Sequence, residues 1–136
     1  MTTINCAFYG SLRRPMYNYN RIIRKFGSDS MSYIKTVSIP GYTMYAINSE
    51  YPGIKEADLN KRIVIDLFKV SKEAYNCIKE MEQLAGFYED SINVSGEDYS
   101  LFPYGYSTEK EFRVECGDWI KFVNLEKNIK NDNSCY

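Results

Sequence analysis

The chain has 136 residues, 44% of them hydrophobic and 26% charged, with a formal net charge of -1. That length encloses one hydrophobic core without metal or disulfide staples, and the composition is that of a globular domain, not a disordered chain. The balanced charge excludes a global field drawing the chain to nucleic acid or an anionic membrane. The absence of histidine excludes His-based triads, His metal sites and imidazole switches. Acid–base chemistry at neutral pH therefore falls to carboxylates, tyrosine, cysteine or lysine. Cys6, Cys77, Cys116 and Cys135 form no CxxC pair and no metal-type spacing, so they are expected to be reduced and metal-free. The opening "MTTINCAFYG" lacks the pattern of a secretory signal, and no apolar run approaches the roughly 18 residues of a membrane span, which predicts a cytoplasmic chain without a membrane partner.

In chain order, "INCAFY" alternates Ile4, Cys6 and Phe8 with Asn5, Ala7 and Tyr9, the period of a half-buried strand that stops at Gly10. Asn18 can cap a short helix running to about Lys25, with Ile22 and Phe26 one turn apart and Gly27 as terminator. Strands are expected in "SYIKTVSI", "YTMYAI", "RIVIDLFKV", "SINV", the neighbourhood of "DYSLFPYGY", and "DWIKFV". Between the second and third of these, "INSEYPGIKEADLNK" reads as a loop, with Pro52-Gly53 its strongest turn signal. "FPYGY" reads as a strand-end bend, and Trp119 as a core anchor of the last strand. Residues 124–136 are polar and expected to form a mobile tail, in which Cys135 is the most accessible thiol. Cys6 and Cys77 fall on inward faces and read as inert packing residues.

"SKEAYNCIKEMEQLAGFY" has the marks of a helix: Ser71 as N-cap, Glu73 at the positive end, Gly86 as stop, and an apolar stripe of Ala74, Cys77, Ile78, Met81 and Ala85. With about 100° per residue, Glu82 lies roughly 80° from Ala74 and 40° from Ile78, the carboxylate of this helix nearest the buried face, and Tyr75 falls on the same side. Desolvation there would raise its pKa toward the range useful to a general acid or base. From periodicity alone the blander reading is preferred, a boundary carboxylate whose stem covers apolar surface.

The stretch "AFYGSLRRPMYNY" invites the same comparison. A Tyr-Gly-Ser turn is usually a turn and nothing more, with Gly10 supplying a permissive backbone angle and Ser11 a local hydrogen bond. Its functional reading is an anion nest of consecutive N–H groups, with Arg13 and Arg14 adding positive potential. The run Arg13, Arg14, Arg21, Arg24 and Lys25, interleaved with Tyr17 and Tyr19, could also face nucleic acid, but the acidic remainder of the chain favours a solvated face.

The run Tyr9, Gly10, Ser11, Leu12, Arg13, Arg14 and Asn18, together with "IKEMEQLAGFYEDSINV", resembles the γ-glutamylcyclotransferase-like superfamily, most of all its γ-glutamylamine cyclotransferase and AIG2-like branch. "IPGYTMYAI", "EYPGI", "RIVIDLFKV" and "GDWIKF" echo it more weakly, so the resemblance spans residues 4 to about 123. It implies an α+β fold, a small closed mixed β-barrel with flanking helices, as one domain over residues 1–123. It implies Glu82 as the catalytic residue and Tyr9, Gly10, Ser11, Leu12 and Tyr88 as substrate-binding residues, with no cofactor or metal. The implied partner is a small-molecule γ-glutamyl substrate, cyclised to 5-oxoproline with release of an amine. Nucleic acid is disfavoured as a partner, and oligomeric state stays open. The alternative is a non-catalytic member that binds a small anionic metabolite in the same cavity. Three positions depart from the common pattern: Gln83 in place of glycine, Lys79 in place of an acid, and Asp66 in place of a glycine.

Overall fold

The computed structural model describes residues 2–133, with side chains described through Lys127. In chain order the elements are β1 (Thr3–Phe8), α1 (Tyr17–Phe26), a 3-10 turn (Ser28–Ser30), β2 (Met31–Pro40), β3 (Tyr42–Ala46), β4 (Pro52–Glu56), β5 (Arg62–Ser71), α2 (Lys72–Leu84), β6 (Asp90–Val94), β7 (Glu97–Leu101), β8 (Phe112–Val114) and α3 (Trp119–Asn133). Five strands form a curled half-barrel in the order β2-β5-β1-β7-β6, and a second sheet has the order β4-β3-β8. With three helices these sheets make the α+β, barrel-like architecture that the resemblance implies.

Alternation predicts a half-buried β1, yet Cys6, Ala7 and Phe8 are all buried. The reason is that α2 packs on β1 and β5 while β3 also packs on β5, so the central strands have cover from both helix and second sheet. Ile63, Ile65, Leu67, Phe68 and Val70 of β5 are fully buried for the same reason. The pairing of β1 decides where its loop emerges. It runs antiparallel to β5 and parallel to β7, with Cys6 opposite Ser100. The chain therefore leaves β1 at Tyr9 and β7 at Phe102 at the same end of the sheet. The β6–β7 hairpin turns through Ser95 (φ 54°) and Gly96 (φ 86°), the left-handed pair that suits a two-residue connection.

Several expectations differ from the structure. Pro52-Gly53 opens β4 and is not a loop; β4 is an edge strand, and proline at its first residue leaves no ladder donor missing. "DWIKFV" begins α3 and is not a strand. Asp118 supplies the local reason, since its Oδ1 accepts the N–H of Lys121 at 3.2 Å, and Trp119, Phe122 and Val123 recur at helical spacing against the core. The polar segment from Asn124 continues this helix to Asn133, and Cys135 lies outside the described residues. Trp119 is buried as expected, but it anchors a helix. Asn18 does not cap α1, which starts two residues earlier than that cap implies, at Tyr17 after Met16, with no side-chain cap.

Candidate active site

The loop after β1 is held from several sides. Tyr9 is buried, and its Oη donates to the carbonyl of Phe102 at 2.6 Å, joining the chain ends leaving the two parallel strands. Burial first, and then the negative charge of Glu82, keep the Tyr9 phenol neutral well above the ordinary tyrosine value. Gly10 is required for a reason other than backbone angle, because its φ is not positive. A Cβ there would lie 2.6 Å from Cδ and 2.8 Å from Cγ of Pro52, so the second sheet approaches this loop too closely for any side chain.

Ser11 binds the loop to α1. Its carbonyl accepts the N–H groups of Asn18 and Tyr19, both at 3.1 Å, doing the work of a helix cap from a distance. Nδ2 of Asn18 donates to Ser11 Oγ at 2.8 Å, which explains why Asn18 points inward. Its Oδ1 is buried without a hydrogen-bond partner among the described residues. The N–H groups of Gly10, Ser11 and Leu12 likewise donate no hydrogen bond to any described residue, although all three residues are buried. Three consecutive N–H groups without a protein acceptor can together stabilise a negatively charged oxygen.

Arg13 does not lend this nest its charge. Its side chain is 6% exposed and lies between Asp66, at 3.3 Å from Nε to Oδ1, and Asp118, at 2.8 Å from Nη1 to Oδ1. Asp66 also accepts from Thr36 Oγ1 at 2.7 Å and from the Arg14 N–H at 3.2 Å. This buried network fixes the far end of the loop. Arg14 stacks over Tyr33, 4.3 Å from the ring centroid, so neither arginine of the pair faces the turn's donors as a free cation. Of the basic run only Arg13 is buried, while Arg14, Arg21, Arg24 and Lys25 are exposed.

Glu82 comes from the opposite side. Ser71 caps α2 as expected, with Oγ accepting the Ala74 N–H at 3.2 Å. At the other end Phe87 N–H bonds the Glu82 carbonyl at 3.0 Å and Gly86 N–H bonds that of Gln83 at 3.2 Å, with Gly86 at φ 95°. This is a Schellman stop, and it places Glu82 in the last turn of the helix. The "FPYGY" segment then clamps it: Tyr104 pairs with Phe87, Gly105 N–H donates to the Gly86 carbonyl at 2.8 Å, and Tyr104 N–H donates to that of Ile54 at 3.1 Å. The bend thus ties α2, β4 and the Tyr9 loop together.

Among the described residues no hydrogen bond or ion pair reaches the Glu82 carboxyl, and burial pushes its pKa up to about 7. The carbonyl-rich end of α2 acts in the same direction. Tyr75, on the same side by helical angle, does not partner it. Seven residues separate the two along the helix, roughly 10 Å, and the Tyr75 hydroxyl donates instead to Glu89.

One cavity of about 220 Å³ brings the halves together. Tyr9, Gly10, Ser11 and Leu12 line it with Glu82, while Asn18, Tyr51, Pro52, Met81, Phe87 and Phe102 add further wall. Tyr88 does not line it and is 46% exposed; its N–H is held by the Pro103 carbonyl at 3.0 Å. Sequence reasoning missed Asn18 and Arg21 as cavity residues. For Asn18 the signal lies in its place in the family-like run that starts at Tyr9, although local sequence assigns it only a capping role.

The chain matches the family model described as gamma-glutamyl cyclotransferase, AIG2-like, over residues 6–121. It belongs to that family. No curated protein sequence matches it. Among solved structures it is similar to the uncharacterized protein PH0828 from Pyrococcus horikoshii, at 19% identity and a TM-score of 0.75, covering 92% of this chain and 96% of that one. A uropathogenic E. coli-specific protein, c4763, is 19% identical with a TM-score of 0.73, covering 91% and 98%. An AIG2-like protein from Mus musculus is 13% identical with a TM-score of 0.57, covering 79% and 80%. At these identities the structural likeness shows the fold alone.

As a family member the chain accommodates its departures locally. Asp66 is the buried partner of Arg13. Lys79 meets Glu89 at 3.3 Å. Burial tends to raise the pKa of Glu89, but hydrogen bonds from Tyr75 and Ser100 and the Lys79 cation hold it below the ordinary value. Two carboxylates seven residues apart thus have opposite environments, and only the unpartnered one faces the cavity.

Proposed function

We propose that the protein cyclises a γ-glutamyl compound to 5-oxoproline and releases the amine. The observation that carries this reading is the Glu82 carboxyl, with a pKa of about 7 and no partner among the described residues, in one cavity with the N–H groups of Gly10, Ser11 and Leu12, which donate to none of those residues either.

The nucleophile in this reaction belongs to the substrate. The protein's task is to fold the glutamyl chain so that its α-nitrogen meets its side-chain carbonyl, and to move two protons in turn from that nitrogen to the departing one. Ionised Glu82 takes a proton from the α-ammonium. The amine then forms the new C–N bond, and charge develops on the carbonyl oxygen. As the old C–N bond breaks, Glu82 returns that proton to the leaving nitrogen, then takes the second proton from the ring nitrogen and passes it to the freed amine, which departs as an ammonium, so the group ends each cycle as it began. A pKa close to neutrality serves both directions of that transfer. The three loop N–H groups hold the glutamyl carboxylate or stabilise the carbonyl oxygen, at no reorganisation cost because Pro52, Phe102 and Asn18 already fix the loop. Tyr9 acts as wall and brace, since its proton is committed to Phe102.

The test is 5-oxoproline release from γ-glutamyl dipeptides and γ-glutamyl amines by wild type and Glu82→Gln. Turnover by wild type and a loss of at least about a hundredfold in the variant are expected. Absence of turnover by wild type, with retained capture of a small anionic metabolite, would establish the non-catalytic binder instead.

A further inference from the structure

The same cavity carries one cation. Among the described residues Arg21 is the single positively charged residue on its wall, and Glu82 the single carboxylate. Arg21 makes no ion pair, hydrogen bond or ring contact with any described residue, unlike Arg13, Arg14 and Lys25 nearby. It stands one helical turn from Tyr17 and Asn18, so these three side chains share the face of α1 that lines the cavity.

Burial along that wall is graded. Ser11, Leu12 and Asn18 are buried, whereas Tyr17 is 51% exposed and Arg21 is exposed. The donor-rich loop is therefore the deep end and Arg21 the outer rim. Resting on the proposed cyclotransferase reading, the glutamyl half, which closes the ring, occupies the deep end. The departing half extends toward the rim.

We propose that Arg21 recognises a carboxylate on the departing half, making γ-glutamyl amino acids and peptides, and not simple γ-glutamyl amines, the preferred substrates. A guanidinium with no competing intramolecular partner is available for a bidentate grip on a carboxylate. A cationic departing group would instead meet like charge at the rim. Because the site is exposed, the attraction is screened, and the preference falls as salt rises from 50 to 500 mM.

The experiment compares γ-glutamyl-alanine with γ-glutamyl-ethylamide, which has the same skeleton without the carboxylate, in wild type, Arg21→Gln, Arg21→Lys and Arg24→Gln. Arg24 is an exposed arginine of the same helix that does not line the cavity. The ratio of kcat/KM for the alanine compound over the ethylamide is expected to be roughly tenfold in wild type and in Arg24→Gln, near one in Arg21→Gln, and intermediate in Arg21→Lys. Turnover of both compounds with a wild-type ratio near one, or an equal fall in Arg24→Gln, overturns the inference and leaves the cyclotransferase reading standing. Release of 5-oxoproline from neither compound removes that reading. The carboxylate preference is then judged by the ratio of their Kd values in calorimetry, where a ratio near one in wild type overturns it as well.

Discussion

Replacing Glu82 with glutamine should stabilise the protein at high pH. The folded chain holds this carboxyl at a pKa of about 7 against 4.5 for the unperturbed group. The folded state therefore binds a proton more tightly than the unfolded state does. Between these two values the folded chain carries more protons, so stability falls as pH rises through the window and levels off above it. The full difference corresponds to roughly 3 kcal/mol for keeping Glu82 ionised. The residue retains partial solvent access, which brings the expected cost to about 1–2 kcal/mol. Glutamine is isosteric and neutral throughout, so Glu82→Gln should exceed wild type by that amount at pH 8, an upward Tm shift of about 4–8 °C, and match it near pH 4. Thermal unfolding of both proteins at half-unit steps from pH 4 to 8 reads this directly. A gap that does not change with pH, or a wild type more stable at pH 8, would refute the argument that desolvation sets this group's pKa.

Activity should report the same group with opposite benefit, because in the proposed reaction ionised Glu82 accepts the proton: kcat/KM in 5-oxoproline release should rise with pH through an apparent pKa of about 7. A flat profile between pH 5.5 and 8 would show that another group limits the reaction. Gly10→Ala should cost about 1–3 kcal/mol in urea unfolding, since Pro52 Cδ would lie 2.6 Å from the new methyl and the proline ring cannot swing away; a neutral result would mean the loop and β4 separate easily. Arg13→Leu should cost about 3–5 kcal/mol by leaving Asp66 buried without its cation. The double variant Arg13→Leu with Asp66→Gly should recover much of that loss, and additive effects of the two changes would show that the pair is not coupled.

How much of the site was legible depends on the range of the forces involved. Ser71, Gly86 and the Ala74–Ile78 stripe are local signals, acting over one or two helical turns, and α2 formed where they placed it. Glu82 could be assigned to the boundary of that helix because angle along a helix is set by residue count. Tyr75 shows the limit of the same reasoning, since angle without axial distance put it beside Glu82 when its partner is Glu89. "DWIKFV" supports two periodicities, and only the packing of Trp119 and Phe122 beneath the second sheet and the cap from Asp118 select the helix.

The family, the loop that follows the first strand and the glutamate of the second helix were all legible in the chain, because each rests on residues close together in sequence. Tertiary structure alone decided the rest. The parallel pairing of β1 with β7 brought Phe102 to Tyr9 across 93 positions, and the second sheet pressed Pro52 onto Gly10. The buried arginine network withdrew Arg13 from the turn, leaving Arg21 as the cation on the cavity wall. Each of these contacts joins segments whose local sequence carries no trace of the other, since burial and pairing are properties of the assembled core.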